Sequence, residues 1–351
     1  MTQERERAGR RADALRGLVR ERGLPDVLAA AERLRAEGTG LSAVRLRRRY
    51  VRNETLPDGG SGGPGVAADD PAVAPVPALD ERRRPPSDAQ PPLARLLVSQ
   101  GVAMRFHLVA LFAAQCQARP GLPWRNTIPL GRTGDAPLTW LDLVAVSARP
   151  GGETTQASGY TSNKLRQFRS ALDLLARRGL ADIGRPGTRN RYEGFGLLAE
   201  DARSTAAGAA GYRVPLADEE CVDVPAEFFT RGWVQVLTKS EIAAWLMWRA
   251  LGNGSGSGFA VASWRERAGA FGLSRDVRDT GRALEAYGLI EVVRPKERRD
   301  NGTWRGYAPT ERLFSDKVRV LPHALARPAH EVVERVLRKT ATLGRWSKPL
   351  G

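Results

Sequence analysis

The sequence predicts a mainly α fold with small β-hairpins, in the α+β class, in which one structural unit occurs twice. Its 351 residues are 42% hydrophobic, which is enough for two or three domains with packed cores. The stretch from Ser263 to Pro309 has the pattern of helix, turn, helix, strand, charged tip and strand. An earlier stretch repeats this pattern, and its segment LLARRGLADI (174–183) aligns without gaps with ALEAYGLIEV (283–292). We therefore expect a diverged internal duplication.

The helices of the later unit have clear boundary signals. Ser263 and Glu266 have the spacing of a capping box, which predicts the start of a helix. A second helix is expected from Arg275 to about Tyr287, and Gly288 is placed to end it in a left-handed conformation.

A β-hairpin with a charged tip is expected to follow these helices. Leu289 to Val293 is rich in β-forming residues, and Asp300 to Gly302 contains a turn signal. Trp304 to Tyr307 is then the expected returning strand.

The earlier unit has corresponding signals. Thr139 and Asp142 form a capping pair, and Ser162 is expected to cap a second helix that runs through Arg178. A strand from Leu180 to Ile183, a tip from Gly184 to Asn190 and a returning strand from Tyr192 to Leu198 are expected next.

Both stretches resemble winged helix-turn-helix DNA-binding domains. In that fold the second helix of the motif enters the DNA major groove and the hairpin tip lies against the phosphates. The architecture of residues 93 to 309 is also similar to plasmid replication initiators, which are built from tandem winged helices.

The resemblance implies that DNA-contacting residues lie on the second helix and the hairpin tip of each unit. Arg, Asn and Gln match the edges of guanine and adenine in the major groove, and further cations suit phosphates. In the earlier unit the candidates are Asn163, Lys164, Arg166, Gln167, Arg169 and Ser170 on the helix and Arg185, Arg189 and Arg191 at the tip. In the later unit they are Arg275, Arg278 and Arg282 on the helix and Lys296, Arg298, Arg299 and Arg305 at the tip.

The opposite faces of these two helices are expected to be buried. Leu165, Phe168, Leu172 and Leu175 form an apolar stripe in the earlier unit. Val277, Gly281 and Leu284 fall on one side in the later unit, with Thr280 and Tyr287 at its margin. An ordinary solvated surface is the alternative for the polar faces, more so in the later helix, where acidic residues balance the arginines.

The overall charge favours a polyanionic partner. The formal net charge is +16 and the sequence pI is about 10.8, which is typical of proteins that bind nucleic acid or acidic membrane surfaces. A GC-rich genome would explain the preference for Arg over Lys, but it would not explain the excess of cations over acids.

The chain divides into six predicted segments. Residues 1–52 form a basic helical segment with fourteen arginines and seven acids, interpreted either as a DNA-contacting arm or as a partner-binding helix pair. Residues 53–92 are a disordered Pro/Gly linker. The remaining segments are winged-helix domain 1 (93–200), a connector (201–237), winged-helix domain 2 (238–310), and a basic C-terminal helix and tail (311–351).

Other function classes have little support in the sequence. The two cysteines and three histidines lack zinc-site spacing, and motifs for phosphate loops, dinucleotide binding or a nucleophile elbow are missing. We therefore expect no catalytic residues, metal or cofactor. Without a secretory signal or a run long enough to span a membrane, a cytoplasmic, nucleoid-associated bacterial protein is expected.

Three functions remain open at this stage. The leading one is a transcriptional regulator that binds double-stranded DNA through two non-identical modules, and a homodimer is compatible with it. The second is a plasmid-type replication initiator that binds origin repeats. The third is a protein-interaction scaffold, because winged helices also serve as docking modules.

Overall fold

The computed structural model describes residues 2–20, 23–54, 90–98, 101–131, 136–146, 156–202, 204–205, 208–252, 258–273, 277–294 and 316–347. These residues form a mainly helical fold with small two-stranded antiparallel sheets, as the sequence predicts. The helices are α1 (Thr2–Arg20), α2 (Leu24–Glu37), α3 (Arg48–Val51), α4 (Pro92–Arg95), α5 (Ala103–Gln117), α6 (Trp140–Leu143), α7 (Gln156–Arg177), α8 (Glu227–Thr230), α9 (Trp233–Val236), α10 (Lys239–Gly252), α11 (Trp264–Gly269), α12 (Val277–Ala286) and α13 (Ala329–Leu343), with a 3₁₀ helix at Pro322–Ala326.

The strands pair across four small sheets in this part of the chain. They are β1 (Ala43–Arg47), β2 (Ala181–Asp182), β3 (Gly196–Leu197), β4 (Ser204–Thr205), β5 (Gly208–Ala209), β6 (Cys221–Pro225), β7 (Ile290–Val293) and β8 (Lys317–Val320). The pairs are β1 with β6, β2 with β3, β4 with β5, and β7 with β8.

A continuous hydrophobic core joins the two halves of the chain. In the first half, Phe106 of α5 contacts Trp140, Phe168 and Phe195, with ring centroids 5.0–5.7 Å apart. Helix α5 is apolar on nearly all sides and is buried on all sides, as expected for a central helix. In the second half, Phe228 stacks on Trp245 of α10 at 4.9 Å.

The sheet of the first half extends beyond β2 and β3. Ala181 pairs with Leu197, and single bridges then join Leu198 to Gly211 and Arg213 to Pro123. Residues 211–213 therefore belong beside this sheet, although the sequence placed them in the connector.

The sheet of the second half contains a strand, β8, that the sequence analysis did not predict. Ile290 of β7 pairs with Val320 of β8, and Ala260 exchanges two backbone hydrogen bonds with Val318, at 2.7 and 2.8 Å. The expected returning strand, Trp304 to Tyr307, lies outside the described residues. The strand pair of the second half extends past residue 310, where the sequence predicted the end of the second domain.

The local helix signals were mostly read correctly. Ser263 Oγ accepts from Glu266 N at 3.0 Å, Thr139 and Asp142 form a complete capping box, and Gly288 is left-handed with φ of 74°. The predicted cap at Ser162 was wrong, because α7 already begins at Gln156 and Ser162 lies inside it.

The remainder of the connector is also part of the core. Trp233 Nε1 donates to Leu325 O at 3.0 Å. The buried Gln235 side chain accepts from Ala145 N and donates to Leu143 O, both at 3.0 Å. These hydrogen bonds tie α9 to the C-terminal end of α6 on one side and to the 3₁₀ helix on the other.

The N-terminal segment is built into the fold as well. Helix α1 packs antiparallel on α13, with Arg16 3.5 Å from Glu334, and β1 pairs with β6 from Ala43↔Pro225 to Arg47↔Cys221. Tyr50 is completely buried and bonds to His107 Nδ1 at 3.0 Å. Arg47 and Arg52 are therefore buried in the core and offer no surface to DNA, whereas Arg45 and Arg48 are half-buried and Arg49 is exposed. The interpretation of Arg45 to Arg52 as a DNA-contacting arm does not fit the two buried arginines.

Arg47 is the most fully engaged of these arginines. Its Nη1 donates to Glu200 Oε2 at 2.7 Å, its Nε to Glu219 Oε2 at 2.6 Å, and its Nη2 to Arg213 O at 3.0 Å. Burial opposes the charge of Arg47, but the hydrogen bonds and charges of Glu219 and Glu200 raise its pKa overall. Burial raises the pKa of Glu200, whose charge depends on Arg47.

Residues 52 and 53 reach the second half of the molecule. Arg52 lies 3.6 Å from Glu266 of α11, and Asn53 N donates to Ala270 O at 2.7 Å. The stretch from Arg45 to Asn53, which we call the linking segment, therefore bonds to both halves.

Gly38 offers a test of how α2 docks on α5. A Cβ atom at this position would overlap the Cys116 carbonyl oxygen, whereas a Cβ at Gly9 of α1 would meet nothing. We expect Gly38→Ala to lower the free energy of unfolding by about 1–3 kcal/mol. Gly9→Ala should raise it by about 0.5–1 kcal/mol. Urea unfolding measures both, and equal effects of the two changes would contradict this packing.

Arg47 can be tested with a double-mutant cycle. Arg47→Met should lower the free energy of unfolding by about 3–5 kcal/mol, because it leaves Glu200 charged and unpaired in the core. Arg47→Met combined with Glu200→Met should cost less than Arg47→Met alone. Simple additivity of the two single changes would show that the ion pair does not couple these residues.

Candidate nucleic-acid interface

Helix α7 is oriented by its buried stripe. Phe168, Leu172 and Leu175 are completely buried and Leu165 is half-buried, as the spacing of three and four residues predicts. Phe168 packs on Phe106 of α5, with ring centroids 5.3 Å apart. The opposite face must therefore point to solvent.

The solvent face of α7 carries most of the predicted candidates. Arg166, Arg169 and Ser170 are exposed, and Asn163 and Gln167 are half-buried. Arg166 Nη2 donates to Asn163 Oδ1 at 2.9 Å, so these two side chains lie together. Because α7 begins at Gln156, this face lies around the middle of the helix and not in its first turn.

Lys164 does not belong to this face. It is 4% exposed, its Nζ donates to Leu141 O, and the ammonium lies 5.9 Å from the centre of the Phe168 ring. Burial lowers the pKa of Lys164 to about 8, against the opposing effect of Asp142. The structure therefore gives no support to the phosphate contact predicted for Lys164. The four-residue spacing from Phe168 was the available signal, because it places the lysine stem over that ring.

The predicted tip of the first unit is a compact set of turns. Gly187 and Asn190 have positive φ of 82° and 59°, and Thr188 N donates to Arg185 O at 3.2 Å. The guanidinium groups of Arg185 and Arg189 are exposed and make no hydrogen bond or ion pair with the described residues. They are free to meet an anion.

Arg191 differs from its two neighbours at the tip. It is half-buried, and its Nη2 lies 3.2 Å from Asp173 Oδ1 while its Nε donates to Gly184 O at 2.8 Å. The sequence predicted a phosphate contact here, but the structure holds this guanidinium against its own chain.

Only part of the second unit can be compared with its predictions. Arg275, Lys296, Arg298, Arg299, Arg305 and the side chain of Arg278 lie outside the described residues. Arg282 of α12 is half-buried.

The buried face of α12 is rotated from the predicted one. Thr280, Ala283, Leu284 and Tyr287 are buried, whereas Gly281 is half-buried and a Cβ there would meet nothing within 4 Å. Tyr287 anchors this face, because its OH accepts from Arg11 Nη1 at 3.0 Å. Gly281 was wrongly placed on the buried side.

Sequence reasoning missed a cleft beside the first sheet. It has a volume of about 570 Å³ and is lined by Trp124, Gly196 and Gly211, with the exposed Arg125 and Arg213 at its wall. The pairing of residues 211–213 with residue 123 creates it, and such a long-range pairing has no local signal.

Two other kinds of site are missing from the described ranges. The described residues contain no group of three or more His, Cys, Asp or Glu side chains placed to hold a metal ion. In the same ranges no helix has the length and apolarity needed to cross a membrane.

The pH dependence of stability tests whether Lys164 of α7 is buried. Its pKa is lowered from 10.5 to about 8, so the stability tied to its neutral form is present above pH 10.5 and is lost as the pH falls to 8. Lys164→Met removes this dependence. As the pH falls through that window, the free energy of unfolding of the variant should rise relative to that of the wild type by up to about 1.4 kcal/mol per pH unit, measured by urea unfolding. A constant difference between pH 8 and 10.5 would contradict the burial.

The chain was also compared with known proteins. No family model, curated protein or solved structure matched it.

Proposed function

We propose that this protein binds duplex DNA in a sequence-dependent manner through two winged-helix units and acts as a transcriptional regulator. The observation that carries the proposal is an order of elements that occurs twice. In each half a long helix is followed by a bridging strand residue, two further helices and an antiparallel strand pair. This is the order of a winged helix-turn-helix domain.

The corresponding elements can be named in both halves. In the second half they are α10, Ala260, α11, α12, β7 and β8, and Val318 lies between Ala260 and Val292 in the sheet. In the first half they are α5, Pro123, α6, α7, β2 and β3, with residues 211–213 inserted into the sheet.

The side chains on α7 suit a base-reading role. Arg166 and Gln167 offer the paired donors and acceptors that fit guanine and adenine in the major groove. Arg185 and Arg189 at the tip are placed on the element that meets phosphates in this fold. Asp173 is the first carboxylate along the solvent side of α7 after Asn163, so this surface can approach a polyanion.

Internal ion pairs reduce the number of arginines that are available to contact DNA. Arg11, Arg47 and Arg52 are directed at Glu241, Glu200 and Glu266 inside the protein, so these pairs contribute no net charge and offer no phosphate contact. The free guanidinium groups on the α7 side of the molecule then supply the local positive surface that favours duplex DNA.

The shared core also bears on the kind of DNA site. The linking segment and α9 join the two halves, so the second helices of both units are carried by one body. A single chain could then read two unequal half-sites at a fixed spacing, without a second copy.

A plasmid-type replication initiator is the second candidate function. The observation that favours it is the pair of long first helices, α5 with 15 residues and α10 with 14, packed into the same core. Recovery of bound genomic fragments distinguishes the two roles. Directly repeated sites at a replication origin favour an initiator, and single operators beside promoters favour a regulator.

The base-reading face can be tested by substitution. Arg166→Ala and Gln167→Ala should each weaken binding to the recovered site by about 1–3 kcal/mol and reduce the preference over a scrambled duplex. Lys164→Met is the matched control, because it removes a cation from the same helix but from its buried side. Fluorescence anisotropy measures all three. If the control weakens binding as much as Arg166→Ala, or if neither alanine variant changes it, the face is wrongly assigned.

A further inference from the structure

All three guanidinium nitrogens of Arg191 contact groups of the protein. Besides the contacts with Asp173 and Gly184, its Nη1 donates to Tyr192 OH at 3.4 Å, and the Gly184 amide donates back to Arg191 O at 2.8 Å. Tyr192 OH in turn donates to Asp173 Oδ2 at 3.0 Å. We call Asp173, Gly184, Arg191 and Tyr192 the bracket.

The bracket closes the tip of the first unit onto α7. Gly184 and Arg191 are the two ends of the turn segment that carries Arg185 and Arg189. Asp173 lies seven residues after Arg166 and three after Ser170, on the same side of the helix. The base of the tip is therefore attached to the same side of α7 that carries the candidate base-reading residues.

We infer that Arg191 and Asp173 are positioning residues that set where Arg185 and Arg189 meet the DNA backbone relative to the face of α7. This inference rests on the proposed function. It replaces the phosphate contact that the sequence predicted for Arg191, because each of its three guanidinium nitrogens already contacts a group of the protein.

Removal of a negative charge distinguishes positioning of the tip from simple electrostatic repulsion, because the two explanations predict changes of opposite sign in DNA affinity. Asp173→Asn and Asp182→Asn each remove one negative charge from the first unit, and Asp182 is exposed on β2 outside the bracket. If charge alone mattered, both changes would strengthen DNA binding, because both reduce repulsion of phosphates. If Asp173 positions the tip, Asp173→Asn should instead weaken binding to the recovered site about fivefold to tenfold while Asp182→Asn does not.

The salt dependence gives a second readout. Loss of the tip contacts should reduce the magnitude of the slope of log K against log salt by about 1–2 for Asp173→Asn, and Asp182→Asn should leave the slope unchanged. A tighter complex with an unchanged slope for Asp173→Asn would overturn the inference.

Conservative changes at the arginines complete the test. Arg191→Lys keeps the charge but cannot hold Asp173, Gly184 and Tyr192 together, so it should weaken binding as Asp173→Asn does. Arg119→Lys is the matched control and should leave the affinity unchanged, because Arg119 is exposed just after α5 and lies outside the bracket and the candidate face. Wild-type affinity in Arg191→Lys would show that Arg191 acts only as a cation.

Hydrogen exchange in the free protein separates this inference from the proposed function. Amides 184–191 should exchange faster in Asp173→Asn than in Asp182→Asn, with unchanged melting of the whole protein. If the wild type binds no duplex DNA, the proposed function fails, and so does the role of the bracket in positioning the tip on DNA. The exchange rates of the free protein then still decide whether the bracket exists. Equal exchange in both variants would overturn the bracket itself.

Discussion

A buried guanidinium, that of Arg47, is the interaction on which the rest of this structure depends. Taking an arginine and a glutamate out of water costs several kcal/mol per ion, and only close, complete pairing offsets that cost. Glu200, Glu219 and the Arg213 carbonyl provide this pairing, and all three lie in the stretch that leads from the first sheet to β6. The position of Arg47 therefore fixes β1 against β6 and both against the first sheet. Arg52 continues the same linking segment to α11, which makes the halves of the molecule one body.

This constraint divides the arginines of the chain into two groups with different tasks. Arg11, Arg47 and Arg52 are directed inward to carboxylates, and Arg191 holds the tip to α7. Arg166, Arg185 and Arg189 face solvent, and they make the surface that we propose for DNA. A net charge of +16 thus indicates the class of partner but does not locate the interface. Several arginines are paired with carboxylates inside the protein, so the cations available to a partner have to be found residue by residue.

The sequence was sufficient where a signal is local. Capping pairs at Thr139 and Ser263, the glycine at 288 and the apolar stripe of α7 depend on residues three or four positions apart, and the structure agrees with each of them. It was insufficient for long-range pairing. The strand β1 was interpreted as a basic cluster because its partner β6 lies more than 170 residues away. The strand β8 was missed because the returning strand was expected at Trp304 to Tyr307. Lys164 and Arg191 show a further limit. Their sequence positions do not distinguish a cation that bonds within the protein from one that faces solvent.

The central claim is that α7 and the tip that follows it form the surface that meets duplex DNA. Hydrogen–deuterium exchange of the full chain, with and without the duplex recovered from genomic DNA, tests this most directly. The claim predicts slower exchange on binding at residues 163–170 and at residues 184–191, with little change in α1 and α13. Slower exchange confined to the terminal helices, or none at α7, would contradict it.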